Sequence, residues 1–192
     1  MGRSDFDDQP RLLGQSLNLQ STFQANVPVS NGTYGNLILS RWAVGSTHRI
    51  SLKRGIRKSR GAQLIHVETP EGALHLVNTH LGLDERERHW QIDFLLDHEL
   101  FQSSSVMPTF IAGDFNDWRN TLAEQSLANH GFQQVTSPPS EYRSFPSWLP
   151  VGGLDKVFVR GEVTTERVKV VRTSLARVAS DHLPIVVDFS LK

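Results

Sequence analysis

The sequence predicts an α+β fold, with two packed β-sheets and helices on the outside. Three observations predict it. Many short segments are rich in Val, Ile, Leu and Thr, and Gly, Pro, Asn or Ser separates them. Only two stretches read as credible helices. The pattern alone leaves a mixed α/β sheet open. At 192 residues the chain has the length of one domain, read as 1–192.

The predicted strands, in order, are Tyr34–Ser40, Val44–Leu52, Ala62–Thr69, Ala73–His80, Pro108–Gly113, Leu154–Arg160, Val163–Arg172 and Pro184–Phe189. Pro70-Glu71-Gly72 reads as a hairpin turn between the third and fourth. The first helix runs from near Asp84 to about Leu100. Asp84 with Glu87 forms a capping-box start, and Trp90, Phe94, Ile92, Leu96 and Leu100 give a wide apolar face. The second spans roughly Thr121–His130 and stops at Gly131. Pro138-Pro139 and the stretch from Pro146 to Gly153 mark long loops.

Composition narrows the function. There are no cysteines, which excludes disulfides, thiolate metal sites and a cysteine nucleophile. The start of the chain has no apolar signal core, Phe6 breaks the myristoylation pattern, and no run has the length of a membrane span. A cytoplasmic location is the resulting expectation. Net charge is zero but unevenly spread: residues 9–67 hold eight Arg or Lys and no Asp or Glu. A basic surface beside an acidic cluster suits an anionic substrate, though a solvated loop around Lys53–Arg60 gives the same pattern.

Four short segments carry candidate chemistry. Gly113-Asp114-Phe115-Asn116 follows an apolar strand, and in an extended chain Asp114 and Asn116 face one side, a hard-oxygen pair suited to Mg²⁺. Ser180-Asp181-His182-Leu183-Pro184 offers a carboxylate and an imidazole before the last strand. Asn78 and His80 share a face at the end of another strand. Asp155 opens a further strand, where a carboxylate can orient a histidine ring. Taken singly, each also reads as a turn or a structural hydrogen bond.

Together they resemble a family. The segments Tyr34-Gly35-Asn36-Leu37-Ile38-Leu39-Ser40-Arg41, Asn78-Thr79-His80-Leu81, Glu87-Arg88-His89-Trp90-Gln91, Gly113-Asp114-Phe115-Asn116, Leu154-Asp155-Lys156-Val157-Phe158 and Ser180-Asp181-His182-Leu183-Pro184 are similar to the endonuclease/exonuclease/phosphatase superfamily. The closest resemblance is to small bacterial metal-dependent hydrolases. It implies a four-layer sandwich, with two mainly antiparallel sheets flanked by helices. It also implies hydrolysis of a phosphodiester or phosphomonoester by metal-assisted water attack, with Mg²⁺ as cofactor and Mn²⁺ as the alternative. His80 would contact the scissile phosphate and act as general acid. Asp114 would orient or deprotonate the water, and Asn116 would fix phosphate or metal. Asp181 would ligate Mg²⁺ together with Asp114 and Asn116. His182 would bind a phosphoryl oxygen, its tautomer held by Asp155. Asn36, Asn78 and Arg41 are read as substrate-binding, and Arg88 and Gln91 as mainly structural. The substrate would be nucleic acid, a phospholipid headgroup or a small phosphate ester.

One part of the family pattern has no match. Members open with a strand ending in Asn and a second strand carrying a metal-binding Glu, upstream of a helix that Leu12–Leu17 resembles. The expected fold is therefore N-terminally truncated. Three explanations compete: a fragment or mis-started product, a natural short form that is weakly active or inactive, and a homodimer that compensates for the strands. The alternative function is a phosphate- or nucleic-acid-binding module that keeps the fold without the Glu ligand. A purely structural protein is weaker, because it does not explain the site residues.

Overall fold

The computed structural model describes residues 7–29 and 32–192. The reading of the first residues as lacking a leader falls on 1–6, outside the described residues. The elements are α1 (Gln9–Leu17), β1 (Gln20–Val29), β2 (Gly32–Ser40), β3 (Ala43–Ser51), β4 (Gly61–Thr69), β5 (Gly72–His80), α2 (Glu85–Asp97), α3 (Glu99–Gln102), β6 (Thr109–Asp114), α4 (Thr121–Glu124), α5 (Ser126–Asn129), β7 (Gln133–Gln134), β8 (Asp155–Arg160), β9 (Val163–Val170), α6 (Ser174–Ala179) and β10 (Ile185–Leu191).

A six-stranded sheet, ordered β3-β4-β5-β6-β8-β7, forms the centre. Its pairs are antiparallel except β5 with β6, which run parallel because α2 and α3 carry the chain back between them. One face of this sheet carries the main apolar core. Ile50, Leu64, Val77, Ile111 and Phe158 pack there with Ile92, Leu95 and Leu96 of α2 and with Leu122 and Leu127.

Two antiparallel hairpins cover the other face, so the second sheet layer comes in two pieces, β1-β2 and β9-β10. They are attached by different physics. The β9-β10 hairpin packs Val163, Val187, Phe189 and Leu191 on Leu74, Phe110 and Val159, with Phe110 and Phe189 ring centres 4.5 Å apart. The β1-β2 hairpin is clasped by buried amides. Gln63 Nε2 donates to Thr22 O at 2.8 Å, Asn36 Nδ2 to Gly61 O at 2.9 Å, and Asn78 Nδ2 to Leu37 O at 3.0 Å. Each such amide gives a buried backbone carbonyl a side-chain donor across the layer boundary.

Helix α2 departs from its sequence reading in two ways. Asp84 caps it by accepting from Glu87 N at 3.0 Å, but Glu87 does not complete a capping box; its carboxylate pairs with Arg57 Nη1 at 3.2 Å. Trp90 and Phe94 are not core either: they stack on each other at 5.1 Å on the open side of the helix. The buried stripe instead includes Gln91, which accepts from Gly82 N at 2.8 Å and donates to Leu52 O at 3.0 Å. The predicted helix over 121–130 is two short turns, broken at Gln125 (φ −116°, ψ −99°).

His75 has a consequence for stability. It is fully buried against His66 and Phe101, and its Nε2 has no partner. Burial, then the neighbouring His66, Arg160 and His48, push its imidazole down to about 3 from the usual 6.5. The folded state therefore binds a proton less readily than the unfolded chain. Stability is full above pH 6.5 and falls as pH drops toward 3, by up to about 5 kcal/mol in all. Urea unfolding followed between pH 7 and 4 should show the midpoint falling, and His75→Leu should remove much of that slope. An unchanged slope in His75→Leu would contradict this account.

Candidate active site

The register of three strands builds the centre of the site. Parallel pairing sets His80 opposite Asp114, and antiparallel pairing sets Asp114 opposite Asp155. Directly opposed residues share a sheet face, so the three side chains form one row at the strand ends. His80 Nε2 lies 3.4 Å from Asp114 Oδ2. Gly113 makes this approach possible: at its φ of +145° an added Cβ would sit 1.8 Å from Thr79 O.

His182 comes from the segment before β10 and joins the row from the side. Its Nδ1 lies 2.7 Å from Asp155 Oδ2, and its Nε2 lies 3.9 Å from Asp114 Oδ2. Ser144 Oγ donates to the same Asp155 oxygen, which fixes that carboxylate from behind. Tyr34 OH stands 3.3 Å from His80 Nδ1, so each histidine is addressed at both nitrogens.

The two imidazoles are driven apart electrostatically. The hydrogen bond to Asp155 raises His182 above its ordinary value, with further help from the charges of Asp155, Asp114 and Asp181. Burial, followed by the cations Arg60 and Lys58, lowers His80 to about 4. Burial also raises Asp114, while its hydrogen bond from Asn116 N opposes this. The result sets a ring shifted toward its cation beside one shifted toward the neutral form, two environments that push the titrations of one pair apart.

Not every sequence-predicted residue enters this row. Asn116 does not face the same side as Asp114 by strand alternation, because β6 ends at Asp114 and Asn116 is left-handed (φ 50°). The two are linked instead by a tight turn: Asn116 N donates to Asp114 Oδ1 at 2.9 Å, and Asn116 Nδ2 donates to Leu81 O at 2.9 Å. Asp181 is exposed, and its carbonyl accepts from Ser147 N at 2.8 Å. The amides of Asn36 and Asn78 are occupied in clasping the hairpin. Arg41 is remote. It follows the far end of β2 and lies over Trp42, seven residues, or roughly 23 Å of strand, from Tyr34 at the site.

Sequence reasoning passed over Tyr34, Lys58, Arg60, Ser144, Phe145 and Trp118. Arg60 is buried to 6 % exposure with an unpartnered Nε, and Asp114 is among the charges that act on it. Lys58 lies over the Tyr34 ring at 5.7 Å. Both cations sit in the basic stretch, which was the available signal. Phe145 packs on the His182 ring at 4.8 Å and meets Trp118 edge-on at 6.2 Å. No periodicity marks these loop residues.

A strand-end row of this kind, on a mixed sheet layered with hairpins and helices, has counterparts in a known family. Residues 3–182 match the Endonuclease/Exonuclease/phosphatase family, and the chain belongs to that family. Its enzymes are hydrolases, in general dependent on a divalent metal. Among curated relatives, the chain is 29% identical over 175 residues to YbhP of Escherichia coli, covering 86% of this chain and 66% of that protein. Thus the chain spans just under two-thirds of the length of the relative it matches. Among solved structures, an endonuclease/exonuclease/phosphatase from Beutenbergia cavernae superposes with TM-score 0.78 at 21% identity, covering 96% of this chain and 57% of that one. A mannosyl-6-phosphatase of Bacteroides thetaiotaomicron gives TM-score 0.74 at 15% identity, covering 95% and 81%. At these identities the structural matches establish the fold. No helix among the described residues is long and apolar enough to cross a membrane.

Proposed function

We propose that the chain is a phosphoester hydrolase that cleaves a phosphodiester or phosphomonoester by attack of water. The observation that carries this reading is the shared carboxylate Asp114, within 3.4 Å of His80 and 3.9 Å of His182, with His182 backed by Asp155 at 2.7 Å. A phosphate ester is anionic and gains charge on its leaving oxygen. An imidazolium held by Asp155 supplies a positioned donor to a phosphoryl oxygen, and Asp114 is placed to hold the attacking water. The buried Arg60 and the nearby Lys58 add positive charge on the His80 side. The fold and the phosphatase among its structural neighbours support the same class of substrate.

The donor set bears on the metal. Among the described residues no group of three His, Cys, Asp or Glu side chains, the row around Asp114 included, has the arrangement of a complete metal cage. Asp114 and the Asn116 carboxamide are hard-oxygen donors joined by one turn, and Asp181 is a further carboxylate near His182. That set fits Mg²⁺, or Mn²⁺ in its place, which is commonly held by one or two carboxylates together with substrate oxygens and water. The ion would supply charge neutralisation and a more acidic bound water. The sparse cage also favours a second reading, a phosphate-binding module without turnover.

One assay separates the two. Hydrolysis of bis-p-nitrophenyl phosphate and of plasmid DNA is followed at millimolar Mg²⁺ and Mn²⁺, beside Asp114→Ala and His182→Ala. Turnover lost in both variants supports the hydrolase. Absence of turnover in the intact chain, with retained binding of inorganic phosphate, establishes the module instead.

A further inference from the structure

We propose that Trp118 and Phe145 form an aromatic wall that stacks on a planar ring, of the nucleobase class, carried by the substrate's phosphate ester. The proposal rests on the phosphoester reading above and adds the group next to the phosphate.

The wall starts at the reacting centre. The Phe145 ring lies 4.8 Å from the His182 ring at an interplanar angle of 41°, and the Trp118 ring meets Phe145 at 6.2 Å and 82°. Both rings are held in place by the same short bridge. Phe145 pairs with Gly152, with Gly152 N donating to Phe145 O at 2.8 Å. The six-membered ring of Trp118 packs against Gly152, where a Cβ would come within 2.8 Å of it. Ser144, the residue before Phe145, donates to Asp155, so the bridge also ties the wall to the His182 dyad.

Fixed as it is, the Trp118 indole remains 57 % exposed. An indole packed on this bridge beside an anion-binding centre and left open is poorly explained as core, and open apolar surface next to a polar site commonly marks a binding site. Its position is complementary to the charge. The cations Lys58 and Arg60 bear on His80, whereas Phe145 and Trp118 flank His182. A phosphate between the two histidines thus has a cationic flank and an aromatic flank. That matches a nucleotide ester, in which an anionic phosphate and a flat ring lie at opposite ends of one unit. Rings offered face and edge, among the polar groups of Ser144, Asp155 and His182, suit stacking rather than an acyl chain. Trp148, Leu149 and Val151, farther along the same loop, are exposed as well, which makes a lipid surface the competing outcome.

The test is equilibrium dialysis of the intact chain, in Mg²⁺ buffer, against adenosine 5′-monophosphate and ribose 5-phosphate. The nucleotide should bind roughly tenfold more tightly, and Trp118→Leu or Phe145→Leu should each erase most of that preference. The readout is the ratio of the two affinities, since ribose 5-phosphate has no ring to stack. Phe145→Leu keeps an apolar group in the bridge and serves if Trp118→Leu fails to fold. Equal affinity for the two ligands overturns the wall, as does a preference unmoved by both substitutions. So does binding to phosphatidylglycerol–phosphatidylcholine vesicles that both substitutions abolish, in the absence of a ring preference. Cleavage of bis-p-nitrophenyl phosphate is read separately: turnover without ring preference removes the wall and leaves the hydrolase standing, and ring preference without turnover does the reverse.

Discussion

Asp155→Asn should lower turnover of bis-p-nitrophenyl phosphate by about 10²–10⁴-fold while leaving the fold intact, on the scale of losing a positioned acid–base group. The substitution keeps the size of the side chain and its place at the head of β8. It removes the charge that raises His182 and replaces an acceptor 2.7 Å from His182 Nδ1 with a group that can donate. The imidazole then loses both its preference for the cation and its fixed tautomer. Ser144→Ala acts on the same carboxylate oxygen more gently, because it leaves the charge in place. The check is kcat beside thermal melting. A kcat within about twofold of the parent, with an unchanged melt, would show that His182 needs no partner and that the dyad is only structural.

Phe115→Ala should cost about 3–5 kcal/mol of stability, the range for truncating a fully buried aromatic. Phe115 has no exposed surface, and its ring packs on Phe158 with centres 5.1 Å apart. The residue also stands between Asp114 and Asn116, and its backbone N donates to Leu154 O at 2.9 Å, beside Asp155. Core and site are therefore joined at one position: the ring anchors the turn that presents Asp114 and Asn116. Urea unfolding measures the loss. Phe94→Ala, on the half-open stack with Trp90, should cost much less, because its ring is 39 % exposed. A Phe115→Ala loss below about 1 kcal/mol would mean that the core collapses around the missing ring and that the turn is held by its hydrogen bonds.

Strand existence was readable because β4, β5, β6 and β8 are apolar runs bounded by Gly, Pro or Asp. β1 was not, because Gln20–Val29 is rich in Gln, Ser, Thr and Asn and ends near Pro28, and its attachment comes from amide hydrogen bonds rather than an apolar stripe. β7 has two residues and α6 has six, too short for any period. The error at Asn116 has a single cause: alternation was carried past the end of β6 into a left-handed turn.

The sequence by itself determined which residue types stood at the ends of strands: His80, Asp114 and Asp155 each lie at a strand end that the apolar runs announce. It also determined the acidic-and-imidazole chemistry and the family to which the chain belongs. Only the tertiary structure decided that these residues stand in one row, because register between β5, β6 and β8 is a property of pairing, not of any one strand. It alone brought Tyr34, Arg60 and Ser144 to the row and set Phe145 on His182. It also sent Arg41 away, since a strand of fixed rise separates what the chain places only seven residues apart.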